Sequence, residues 1–218
     1  MSELREVLAA NAAPALAIGG LLIGFVFGAI LQRTGFCAMG GVSDWHTFGD
    51  SRRLRAWFLA AAVATLAAQA LDHAGVTALD RSMYLAPSLN WAGNLVGGVL
   101  FGIGMVLAGG CASRNLVRAG TGDLRAGLTI VVMGLAAFAA IGGVLGPARA
   151  AFETATALDL SRAGLTNQSL TAALARAGGI GSDAARWLAT AVVAGGLSAW
   201  CLSSRAFRTS PVHVLSGI

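Results

Sequence analysis

The chain has 218 residues, 56 % hydrophobic and only 11 % charged, with a mean hydropathy of +0.72. Soluble domains carry about 25 % charged residues, so this composition excludes a water-covered globular enzyme and points to a lipid bilayer. The 15 basic residues are all arginine and give a net charge of +5, but they form no run and no basic–aromatic interleaving. That pattern argues against nucleic acid and reads as arginine flanks of membrane helices.

In chain order, five apolar segments have the length and lack of charge of bilayer spans, which need about 20 residues each. They are expected at 13–32, 56–71, 91–109, 124–146 and 187–203. The second is short, so it is either tilted or begins among the arginines before it. The N-terminal Met1-Ser-Glu-Leu-Arg-Glu6 lacks the positive start of a secretory signal, so the first segment is expected to stay as a helix. The expected fold is all-α: one polytopic transmembrane helix bundle over 1–218, about five spans with short half-helices between them.

Orientation follows from the arginines. If the N-terminus is outside and the chain alternates, the inner connections hold nine arginines and three acids, and the outer ones six arginines and seven acids. That asymmetry places the N-terminus outside. The outer connection, 147–186, is long. Asn167 to Ala177 reads as a surface helix ended by Gly178-Gly179. The last residues, Pro211 to Ile218, look like the opening of a further helix that stops. The chain is therefore expected to be truncated or completed by a further C-terminal half.

A shift of 74 residues aligns 24–38 with 98–112, and six of 15 positions are identical, including Cys37/Cys111. The repeat units are expected at 13–55 and 91–125. Gly20, Gly24 and Gly28 share one helix face, as do Gly98 and Gly102, the spacing of close helix packing in lipid. Each helix then meets glycine: Gly35 before Phe36-Cys37, and Gly109-Gly110 before Cys111. Glycines there break the helix, and broken backbone at membrane depth survives only where it is buried or lines a cavity. Interrupted, repeated segments point to a transporter's binding site.

The stretches after the breaks read as half-helices whose positive N-terminal ends attract an anion. Arg114 adds a full charge within one turn of Cys111, and Asn115 a further donor. A neutral thiol is a weak donor on a soft sulfur, suited to a sulfur-bearing anion that must be bound without being trapped. The candidate substrate-binding residues are Cys37, Cys111, Gly35, Gly110, Arg114 and Asn115. Asp44 and Asp123 read as helix caps or partners of nearby arginines, and Cys201 as an inert residue near a helix end. The three cysteines make no CxxC pair and no zinc spacing, so neither metal nor cofactor is expected.

Arg33-Thr-Gly-Phe-Cys-Ala-Met-Gly-Gly-Val-Ser-Asp44 resembles the first cysteine motif of the YeeE/YedE family of bacterial inner-membrane sulfur transporters, and Gly104 to Gly120 resembles its second. The resemblance covers essentially the whole chain. It implies uptake of thiosulfate, or a related sulfur or selenium anion, with Cys37 and Cys111 as relay thiols, and a sulfur-carrier protein as a partner on the cytoplasmic side. Full-length members continue into a second half with another glycine-cysteine-threonine motif, which this sequence lacks. Cys201 has no flanking glycines and is no replacement.

Two other classes stay open at this level. A membrane thiol enzyme would cycle Cys37 and Cys111 through a disulfide. A structural subunit would shape a partner's channel and tolerate Cys111→Ser. For a permease, the sequence offers no P-loop and no carboxylate inside the apolar segments, so ATP drive and a proton relay have no candidate residues.

Overall fold

A computed structural model describes residues 12–79, 82–165 and 167–218. Glu3, Arg5, Glu6, Asp80 and Arg81, which enter the charge count above, lie outside the described residues. The described residues are mostly helical. Helix α1 (Ala12–Thr34) is followed after a three-residue break by α2 (Ala38–Phe48), then α3 (Arg52–His73). Helix α4 (Trp91–Leu107) is likewise followed by α5 (Ala112–Gly120), then α6 (Leu124–Ile141) and α7 (Gly146–Thr156). The long connection expected outside carries α8 (Leu170–Gly178). Helix α9 (Ser182–Thr190) continues through a π-turn, Ala191–Gly195, into α10 (Gly196–Ser203), and α11 (Arg205–Arg208) and α12 (Pro211–Ser216) end the chain. Two short strands, β1 (Ser88–Leu89) and β2 (Leu158–Asp159), pair antiparallel and tie the two connections at that end together.

Among the described residues, five stretches are long and apolar enough to cross a membrane: Leu16–Phe48, Arg52–His73, Trp91–Gly120, Leu124–Ile141 and Ser182–Ser203. Each overlaps one of the five expected spans, but the first and third run on through the helix breaks to Phe48 and Gly120, past the expected ends at 32 and 109, and the other three are bounded differently. The second starts at Arg52 rather than 56, because its arginines are anchored: Arg52 pairs with Asp50 at 2.6 Å, Arg53 with Asp44 at 3.1 Å. Arg55 reaches the carbonyls of Trp200 and Cys201 and the hydroxyl of Ser203. The fourth ends at Ile141 rather than 146, because Gly142 and Gly143 both turn back to the carbonyl of Phe138. The fifth begins at Ser182, five residues before the expected start. Its early turn is polar yet tied down by Arg186, which pairs with Asp72 at the end of α3 at 2.8 Å.

Helix α3 is the hub, packed against α2, α9, α10, α11 and α12. Close approach is made by small residues: a Cβ on Gly41 would sit 3.0 Å from the backbone N of Leu54. Ala56, Leu59, Cys201 and Phe207 form the buried core there, flanked by Phe36, Phe58 and Val214. The second repeat forms its own group, α5 against α6 and α4 against α7, and joins the first where α1 meets α5. The glycine faces expected to pack closely do not do so among the described residues. Nothing lies within 4 Å of a Cβ placed on Gly20, Gly24, Gly28, Gly98 or Gly102. The apolar side chains around them, such as Leu21, Phe25, Leu100 and Phe101, are exposed.

Candidate functional site at the two helix breaks

Both breaks are built by left-handed glycines. At the end of α1, Gly35 has φ +60° and donates its N–H to Leu31 O at 3.0 Å. This left-handed cap is the ordinary stop for a helix, and glycine takes it without Cβ strain. Phe36 N then donates to Thr34 Oγ1 at 3.3 Å. Cys37 follows in extended conformation as the N-cap of α2, its sulfur accepting from Gly40 N at 3.5 Å. In the second repeat Gly109 (φ +66°) and Gly110 (φ +157°) perform the turn, and Cys111 N-caps α5. The sequence reading of two breaks followed by half-helices matches this geometry.

The two N-caps meet. Cys37 Sγ and Cys111 Sγ are 3.2 Å apart, in hydrogen-bonding contact, and both are free thiols. Cys37 is 3 % exposed and Cys111 half-buried. The helix breaks thus bring together cysteines 74 residues apart in the chain. Asn115 braces the second turn. Its Nδ2 donates to Ala108 O and Gly110 O, each at 3.2 Å, so the donors expected to face substrate are used to hold the loop. Its Oδ1 is buried without a partner among the described residues, and the whole side chain is 1 % exposed.

Arginines surround the breaks. A Cβ on Gly35 would meet Arg53 Nη2 at 3.2 Å; on Gly40, Arg53 Nη1 at 3.1 Å and Arg114 Nη1 at 3.7 Å; on Gly110, Arg114 Cδ at 3.1 Å. Gly35 and Gly40 admit guanidinium groups, and Gly110 the methylene chain of Arg114, where any side chain would push them aside. A cavity of about 200 Å³ lies beside them, lined by Arg53, Arg114 and Arg118 with Leu31, Gln32, Gly35, Phe36 and Val117. Arg53 is paired with Asp44, and Arg118 with Asp123 at 2.6 Å. Arg114 has no carboxylate partner among the described residues. An ionisable group at membrane depth is costly and marks a site of function.

Charged pairs close the same end of the molecule. Arg52 holds the Asp50 carboxyl down at about 2 by hydrogen bonding to it. Asp123 caps α6, accepting from Arg125 N at 3.0 Å, and its pKa is lowered first by the N–H of Ala126 and then by Arg118. This is the capping or pairing reading of Asp44 and Asp123. Cys201 is fully buried and donates to Arg55 O at 3.1 Å, away from the other two thiols. Among the described residues, no three His, Cys, Asp or Glu side chains come together as a metal site.

A larger hollow of about 530 Å³ opens at the opposite end, lined by Gln69, Asp72, Tyr84, Asn167, Ser182 and Arg186 among others. It is wider but chemically quieter: its arginine is neutralised by Asp72. The smaller cavity holds Arg114, which has no carboxylate partner among the described residues, and its lining residue Phe36 immediately precedes Cys37 in the chain. Arg53 was missed by sequence reading. It stands among the arginines at the start of α3, where a helix flank and a cavity-lining residue look alike, and only the packing of α3 on α2 brings it to the cavity.

Broken, repeated membrane helices that converge on a charged cavity define a membrane transport protein. The family model described as sulphur transport matches residues 33–192, and the chain belongs to that family. It is 37 % identical over 105 residues to the thiosulfate transporter TsuA of Escherichia coli, covering 48 % of this chain and 28 % of that protein. Against the TsuA of Spirochaeta thermophila it is 37 % identical over 124 residues, 57 % of this chain and 36 % of the relative. The probable transporter YedE of Salmonella typhimurium is 31 % identical over 106 residues, 48 % and 24 %. The matched stretch is thus between about a quarter and just over a third of each of these relatives.

Proposed function

We propose that this chain forms part of a membrane permease that takes up a small sulfur-containing anion, thiosulfate foremost. The observation that carries the reading is the thiol pair: Cys37 and Cys111 in contact at 3.2 Å, at the N-terminal ends of two half-helices, near Arg114, which has no carboxylate partner among the described residues. The similarity to proteins named thiosulfate transporters supports the same substrate class.

The chemistry follows from charge and softness. An anion entering the cavity meets Arg114, and the nearby N-terminal ends of α2 and α5 add positive potential where water is scarce. Its terminal sulfur is large and polarizable, a weak acceptor matched to a weak S–H donor. Two thiols 3.2 Å apart can hand such a ligand from one to the other without any single strong bond to break. Weak, multi-site binding of this kind lets an ion leave again. Gly35 and Gly110 keep the path open by carrying no side chain, and Asn115 holds the second turn in register. The arginine asymmetry orients the arginine-rich end inward, with the N-terminus outside, in a bacterial inner membrane. A further C-terminal half completes the pathway, and a sulfur-carrier protein receives the product on the cytoplasmic side.

Thiosulfate-dependent growth of a sulfur-auxotrophic bacterium tests this, with the chain expressed alone and with its natural C-terminal continuation. Rescue by the continuous form is expected, and it is lost in Cys37→Ser and Cys111→Ser. Failure of the continuous form to rescue, with the protein confirmed in the membrane, overturns the thiosulfate reading. The short Sγ–Sγ distance also favours a thiol-redox reading. That reading alone requires a Cys37–Cys111 disulfide that appears and disappears with turnover, which thiol trapping during uptake would detect.

A further inference from the structure

We propose that the Arg53–Asp44 pair sets the charge of this anion site and thereby selects divalent over monovalent sulfur anions. The inference rests on the permease reading and names the charge class of its substrate.

Arg53 reaches the site from α3, a different helix from either half-helix. Its Nη2 faces the backbone of Gly35 and its Nη1 that of Gly40, so it spans the turn that presents Cys37. Arg114 Nη1 approaches the same Gly40 from α5. Two guanidinium groups therefore converge on one residue without a Cβ. Asp44 contacts Arg53 Nη1 at 3.1 Å. The Nη2 side of the fork makes no hydrogen bond among the described residues; it lies beside Gly35, and Gly35 and Arg53 both line the cavity. A guanidinium has five donors, so a carboxylate on one edge leaves the other edge for an anion.

The charges can be counted. Arg118 is neutralised by Asp123 and Arg52 by Asp50, each at 2.6 Å. Arg53 is neutralised by Asp44, and Arg114 is uncompensated. The N-terminal ends of α2 and α5, helices of 11 and nine residues, contribute about +0.5 each. The empty site thus carries about two positive charges, the charge of a dianion such as thiosulfate. Asp44 holds the total at that value: without it the site would be one charge too positive and would retain its ligand. Without Arg53 it would be one charge short.

The test is competition for uptake of radiolabelled thiosulfate, in cells expressing the chain with its natural continuation. Unlabelled thiosulfate is compared with unlabelled methanethiosulfonate, which keeps the terminal sulfur and replaces one charged oxygen by methyl. The readout is the ratio of the two half-inhibiting concentrations, which a change in protein amount or folding does not move. Wild type should prefer the dianion. Arg53→Gln should lower that preference about ten-fold and Asp44→Asn raise it about ten-fold, since one unit charge has been removed or left unopposed in a low-dielectric site. Asp44→Asn should also slow maximal uptake while tightening half-saturation. The double variant Arg53→Gln/Asp44→Asn restores the charge, and its ratio should return to within about three-fold of wild type. Arg53→Lys should keep the ratio.

An unchanged ratio in either single variant, or a double variant that does not compensate, overturns the inference while leaving thiosulfate uptake standing. Should Arg53→Gln abolish uptake, Asp44→Asn decides alone, because it leaves every guanidinium in place. If wild type takes up no thiosulfate, the permease reading falls and this inference with it.

Discussion

Gly35 and Gly49 both lie in the left-handed region, at φ +60° and +68°, and both end a helix. A Cβ costs about 1–2 kcal/mol in that conformation at either position. The two differ in what the Cβ would meet: nothing within 4 Å at Gly49, but the guanidinium of Arg53 at Gly35. Gly35→Ala and Gly49→Ala should therefore cost similar stability, while only Gly35→Ala lowers thiosulfate uptake, by about ten-fold as Arg53 is displaced. Uptake normalised to membrane protein checks this, and equal loss in both variants would reduce Gly35 to a backbone role. A second residue-scale expectation concerns Asp50. Arg52 holds its pKa at about 2, below the ordinary 3.8. A depressed carboxylate pKa stabilises the folded state above 3.8, and the contribution is lost as pH falls towards 2. A carboxyl NMR titration of Asp50 should show its midpoint near 2, and a midpoint near 4 would dissolve the pair.

The half-helices were readable before any coordinates because their signal is local. Glycine followed by cysteine, twice, after a long apolar run, is a break that lipid tolerates only around a cavity. What the sequence could not give is the distance between the breaks, since 74 residues of chain separate the two sulfurs and only packing closes them to 3.2 Å. Arg53 was hidden for the same reason. A mild oxidant such as copper phenanthroline should therefore convert Cys37 and Cys111 into a disulfide within one chain. Peptide mass mapping would detect it, and the bridge should block uptake until dithiothreitol releases it. If Cys37 instead links to Cys201, or no intrachain bridge forms, the half-helices do not meet as described. Asn115 belongs to this scale too. From sequence it reads as a donor for substrate; in the structure its amide spans the turn from Ala108 to Gly110. Such contacts between side chain and nearby backbone depend on the turn's own dihedrals, which two adjacent glycines leave open in the sequence.

Across the whole molecule, hydropathy and arginine count fix the number of spans and suggest their direction, but boundaries shift where charged residues find partners. Three contacts bear on the alternation. Asp72 meets Arg186, and β1 meets β2, at one end; Arg55 meets Ser203 at the other. The ends of α3 and of α9–α10 are thus matched antiparallel, as an alternating chain requires. The contacts leave open which end faces the cytoplasm, since a bundle turned over keeps every contact. The positive-inside bias gives the expected direction, and single cysteines can test it. Thr77 follows α3 at the end expected outside, Thr209 follows α11 at the end expected inside, and both are exposed. Thr77→Cys should react with a membrane-impermeant maleimide in intact cells, and Thr209→Cys only after permeabilisation. Native background should be low, because Cys37 and Cys201 are buried and Cys111 is half-buried against Cys37. The reverse labelling pattern would turn the bundle over. The arginine-lined cavity would then open outward, serving capture of the anion instead of its release.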